Sequence, residues 1–77
     1  MKRNTISALV LNQPGTLIKL ATVISGRGIN IEELTAAPAD DPGLTRVVIT
    51  FFSGDDQLRQ VRGQFEKMEV VRHVELI

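Results

Sequence analysis

The sequence predicts an α+β domain of the ferredoxin-like kind, a βαββαβ chain whose four-stranded antiparallel sheet carries two helices on one face. Three observations lead there. Four β-branched or apolar runs alternate with two stretches of helical period, the two central runs are separated only by a turn cluster, and the connections are short throughout. Crossovers of the βαβ type are right-handed almost without exception, so two of them joined by a hairpin close into this sandwich.

The first run, Thr5 to Leu11 (TISALVL), ends at a turn signal and reads as a strand. Its faces are Ile6, Ala8 and Val10 against Ser7, Leu9 and Leu11, both largely apolar, so neither is expected to look wholly at water. Asn12, Gln13, Pro14 and Gly15 interrupt the pattern. Beyond them Leu17, Leu20, Ala21 and Ile24 fall at i, i+3, i+4 and i+7, the stripe of an amphipathic helix. Pro14 suits a first helical turn because it has no N–H to leave unpaired, and Ser25 to Gly28 (SGRG) supplies the stop.

The second strand lies in INIEELTAA. Ile29 and Ile31 share one parity while Leu34 and Ala36 share the other, so a bulge near Glu32 and Glu33, or pairing that begins only there, is expected. Pro38 to Gly43 (PADDPG) is a turn, and Leu44 to Phe52 (LTRVVITFF) is the strongest strand signal in the chain. Leu58, Val61 and Phe65 mark the second helix, with Asp55 and Asp56 at its start where the helix dipole favours negative charge. Gly63 weakens that helix by about 1 kcal/mol relative to alanine. VVRHVELI closes the chain as the fourth strand. The face of the sheet away from the helices has no cover within the chain, yet both parities of the first and third strands carry apolar side chains, Leu9 and Leu11 with Ile6 and Val10, and Val48 and Phe52 with Val47, Ile49 and Phe51; self-association or a larger partner is expected.

Composition excludes several functions. Seventy-seven residues make one small domain, and such a chain buries only about 60% of its unfolded surface, which favours added burial by a partner. Nine basic and nine acidic residues cancel, so there is no basic field to hold a phosphate backbone, and general nucleic-acid binding is disfavoured. Phe51 and Phe52 lack the glycine-aromatic pattern of an RNA-recognition platform. The absence of cysteine removes disulfides, thiolate catalysis and thiolate metal sites, leaving zinc only His73. His73 therefore reads as a structural or surface residue, and Asp40-Asp41 and Asp55-Asp56 read as turn and helix-start residues rather than acid-base pairs. The apolar run near the N-terminus, about six residues long, is too short for a signal peptide or a membrane span. No membrane contact and a cytoplasmic location are expected.

The best candidate site is the turn Asn12 to Gly15. A helix N-terminus leaves backbone N–H groups unpaired, and a glycine there lets a small anion approach them; capping alone would use the same residues.

The stretch ISALVLNQPGTLIKLATVISGRGINIEELTAAPADDPGLTRVVITFFSGDD resembles the ACT domain of the acetolactate synthase (acetohydroxyacid synthase) small regulatory subunit, the sensor in branched-chain amino-acid synthesis. NQPGTL alone would indicate an ACT domain of unspecified kind, whereas RGINIEELTAAPADDPGLTRVVI is much more specific and points to this subfamily. The resemblance implies that residues 1–77 form a single ACT domain and that two copies pair edge to edge into one eight-stranded sheet. It implies an amino-acid effector, valine foremost, held between Asn12, Gln13, Pro14, Gly15, Thr16 and Leu17 of one chain and Asn30 and Ile31 of its neighbour. The role implied is regulatory rather than catalytic, activating the large subunit. Thiamine diphosphate, flavin and magnesium then belong to that large subunit and no cofactor to this chain. Many small subunits carry a second domain after this unit, whereas the sequence stops at Ile77, which leaves a naturally short subunit and a standalone amino-acid sensor both open. A small enzyme on the same scaffold is disfavoured by the lack of any nucleophile-base constellation.

Overall fold

The computed structural model describes residues 1–77. Its elements are β1 (Lys2–Leu11), α1 (Thr16–Ser25), β2 (Ile31–Pro38), β3 (Leu44–Ser53), α2 (Asp55–Glu66) and β4 (Val71–Leu76). The sheet order is β2-β3-β1-β4 and every pairing is antiparallel. The predicted ferredoxin-like sandwich is present, with β2 and β4 at its edges. β1 begins at Lys2 rather than Thr5, because Lys2 to Asn4 continue the ladder opposite Phe51 to Ser53.

The core lies between the sheet and the helices. Ile6, Ala8 and Val10 from β1 and Val47, Ile49 and Phe51 from β3 meet Leu20 and Ile24 of α1 and Val61 and Phe65 of α2, all essentially inaccessible to water. The expected phase slip in β2 is a bulge: Ile31 pairs with Phe51 but Glu33 pairs with Thr50, so Glu32 has no partner on β3. Directly opposite residues share a face. Ile31 opposite Phe51 and Leu34 opposite Ile49 therefore both lie on the helix side, as the slip requires.

Two expectations are corrected. Leu17 is not part of the buried stripe of α1; it is 39% exposed, and Thr16, Leu20 and Ile24 are the buried set. The far face of the sheet is also less apolar than its residue types suggest. Thr5 and Thr50 share a hydroxyl hydrogen bond of 3.0 Å, the Arg46 guanidinium donates to Ser7 Oγ at 3.0 Å, and Arg3 pairs with Glu33 at 2.9 Å. These polar pairs interleave with half-buried Leu9, Leu11 and Val48, and only Phe52 stands out among the large apolar groups there.

Gly63 lies within α2 at negative φ, and a Cβ built there meets nothing within 4 Å. Gly63→Ala should stabilise the domain by about 0.5–1 kcal/mol, raising the thermal midpoint by about 2–8 °C. A melting curve by circular dichroism checks this; an unchanged or lowered midpoint would contradict it.

Candidate functional site

Two Pro-Gly turns meet at one end of the sheet. In the first, Thr16 N–H donates to Gln13 C=O at 3.3 Å and Gly15 has φ 84° and ψ −7°. With proline at the second position and glycine at the third, this is a type II turn, whose third residue needs positive φ. Pro14 therefore sits in the turn before α1, not in its first helical turn as the sequence reading placed it. The second turn repeats the device. Leu44 N–H donates to Asp41 C=O at 3.3 Å and Gly43 has φ 80°. The turns are tied together by Asn12 N–H, which donates to Gly43 C=O at 2.9 Å.

Between them lies a cleft of about 620 Å³. One wall is Asn12, Gln13, Gly15, Thr16, Leu17 and Ile18; the other is the end of β2 and the hairpin, including Pro38, Ala39, Asp41 and Leu44. Leu17 and Ile18 keep apolar surface outside the core here, and Asp41 is the one charged residue of the lining. Pro14 forms the turn without lining the cleft.

The start of α1 is open. Gly15 provides no side-chain cap, the first turn holds no acidic residue, and the amides of Leu17 and Ile18 donate to no group of the chain. Helix α2 differs: Asp55 and Asp56 occupy its first turn, and the side chain of Gln57 accepts from Gly54 N–H at 3.1 Å. Both helix starts leave first-turn N–H groups without partners in the chain, but only that of α1 also lacks an acidic side chain to offset its dipole. A Cβ at Gly15 would meet nothing within 4 Å, so the space over the turn is free. An anion of carboxylate size fits this arrangement.

Asn30 and Ile31 lie elsewhere. Ile31 pairs with Phe51, which pairs with Asn4, whereas Leu11 and Leu44 close the cleft end. Seven residues along β1 separate the two levels, about 23 Å at the rise of an extended strand. Asn30 is exposed and donates from Nδ2 to Glu32 Oε2 at 2.9 Å; Ile31 is partly buried against the core. One chain thus brings together Asn12, Gln13, Gly15, Thr16 and Leu17, and holds Asn30 and Ile31 at the opposite end of the sheet. His73 is exposed and bonded to Glu75 at 2.8 Å, and no group of histidine and acidic side chains is arranged to hold a metal. No helix is long and apolar enough to cross a membrane.

The hairpin wall was missed by the sequence reading. The signal was present: Gln-Pro-Gly-Thr and Asp-Pro-Gly-Leu repeat one turn pattern, and β1–β3 pairing sets Leu11 opposite Leu44, bringing the two turns side by side.

Comparison with known proteins bears on this geometry. The family model described as "AHAS small subunit-like ACT domain" matches residues 6–73. The acetolactate synthase isozyme 3 small subunit of Escherichia coli (strain K12) is 40% identical over 75 residues, which are 96% of this chain and 46% of that protein. The probable acetolactate synthase small subunit of Methanothermobacter thermautotrophicus is 38% identical over 63 residues, 82% of this chain and 38% of that one. Among solved structures, the acetolactate synthase small subunit from Thermotoga maritima superposes with a TM-score of 0.88 at 33% identity, over 99% of this chain and 47% of that chain. The chain spans about half the length, or less, of these relatives. With a family match over nearly all its residues, a 40% identical relative and a shared fold, the chain belongs to the ACT domains of the acetolactate synthase small-subunit family.

Proposed function

We propose that this chain is the effector-binding unit of a non-catalytic acetolactate synthase small subunit. In this reading it binds a branched-chain amino acid, valine foremost, between two copies and regulates and activates the catalytic large subunit. The observation that carries the reading is the uncompensated start of α1 above a cleft with apolar walls. The effector's carboxylate would meet the Leu17 and Ile18 amides, its branched side chain would rest on Leu17, Pro38 and Leu44, and Asn12 would offer its amide to the polar end.

The position of Asn30 and Ile31 supports a paired site. β2 is an edge strand with Ile31 at one end and Pro38, beside the cleft, at the other. If two β2 edges join antiparallel around a two-fold axis, each Pro38 approaches the partner copy's residue 31, and an eight-stranded sheet results. Every cleft then gains the Asn30 amide from the facing chain, which one copy cannot supply. Thiamine diphosphate chemistry would reside on the large subunit, with this chain acting on it through binding alone.

Calorimetry with valine, leucine and isoleucine, paired with sedimentation across a hundredfold dilution, tests the reading. Saturable binding at one effector per subunit or per subunit pair, by a protein that stays at least dimeric, is the expected result. A monomer throughout, or no heat with any of the three, would overturn the paired-site reading. Co-purification with a large thiamine-dependent protein distinguishes a synthase subunit from a standalone amino-acid sensor that acts on another partner.

A further inference from the structure

We infer that Glu32 is a positioning residue that turns the Asn30 amide oxygen outward and so makes the facing half of the site select for an ammonium group. The inference rests on the paired amino-acid site proposed above and assigns the part of it that recognises the nitrogen.

The bulge puts Glu32 in this role. Because the register passes from Ile31–Phe51 directly to Glu33–Thr50, Glu32 has no cross-strand partner, and its side chain folds back over two residues to reach Asn30. A carboxylate can only accept hydrogen bonds, whereas an asparagine amide has one donating end and one accepting end. The contact of 2.9 Å to Glu32 Oε2 therefore occupies Nδ2 of Asn30 and leaves Oδ1 as the group it presents. An ammonium has three donors and no acceptor, so it matches an oriented Oδ1, and the adjacent carboxylate adds attraction for its charge. A hydroxyl can donate or accept and gains less from that orientation. The neighbouring acid, Glu33, is engaged with Arg3 at 2.9 Å. Asp41, in the cleft lining, is the competing carboxylate.

The test compares valine with its hydroxy analogue, 2-hydroxy-3-methylbutanoate, by calorimetry on the parent, Glu32→Ala and Asp41→Asn, with sedimentation to confirm that each stays dimeric. Loss of an oriented, charge-assisted hydrogen bond is expected to weaken valine about tenfold in Glu32→Ala, and the hydroxy acid less than about twofold. The ratio of the two affinities is the readout, since general damage to the interface would lower both alike. Equal losses, no loss, or a valine-selective loss in Asp41→Asn alone would overturn the inference while the site reading stands. Failure of valine to bind the parent would overturn both.

Discussion

Gly15→Asp should abolish effector binding in a protein that still folds and pairs. The substitution sets a carboxylate over the open first turn of α1, where the effector's own carboxylate belongs. Two unit charges about 4 Å apart repel by about 4 kcal/mol at the effective dielectric of a protein surface, so a loss of at least about a hundredfold in affinity is expected. A negative charge at this helix start is itself favoured by the dipole, so the substitution also offsets the attraction that the effector's carboxylate would use. Folding should persist because a Cβ at Gly15 meets nothing within 4 Å. The cost is backbone strain: at φ 84° a non-glycine residue pays about 1–2 kcal/mol. Gly15→Asn separates strain from charge, since asparagine tolerates the left-handed region and matches aspartate in size. Calorimetry on both variants, with circular dichroism for folding, reads the result. Equal affinity of parent and folded Gly15→Asp would reduce the turn to punctuation, and equal losses in the two variants would assign the effect to shape rather than charge.

Phe51→Ala should remove a large share of the domain's stability. Phe51 is completely buried near the C-terminal end of β3, paired with Asn4 on one side and Ile31 on the other, and is among the largest side chains of the core. Removing such a ring costs about 3–5 kcal/mol. A chain of this length holds about 4–12 kcal/mol in all, so the thermal midpoint should fall by more than about 12 °C or the transition disappear. The next residue provides the control. Phe52 points to the opposite face and is 43% exposed, so Phe52→Ala should cost only about 1–2 kcal/mol. Melting curves of the two variants check the alternation directly; comparable losses would mean that the far face of the sheet is covered in solution.

Pattern alone determined the order of elements in this protein. Val61 and Phe65 anchor α2 as their spacing predicts, and a phase break near Glu32 and Glu33 was legible because two apolar pairs of opposite parity must both reach the same helices, whereas packing against the helices, not period, selected Ile6, Ala8 and Val10 over the equally apolar Leu9 and Leu11. The resemblance to small-subunit ACT domains was equally a property of the string of residues, and the family match agrees with it. Other features depended on which distant residues become neighbours. Leu17 fits the helical stripe by spacing, yet the type II turn ends the sheet connection just ahead of it and leaves it at the cleft mouth, 39% exposed. The hairpin wall of Ala39, Asp41 and Leu44 joins the site only because the β1–β3 register delivers Gly43 C=O to Asn12 N–H. Polar pairs such as Arg46 with Ser7 quiet a face whose composition reads as apolar. Periodicity records how each residue sits relative to its own element, because that is set by local backbone geometry. The register between strands far apart in sequence is set by simultaneous packing of the whole core, so the cleft and its walls exist only once the sheet has closed.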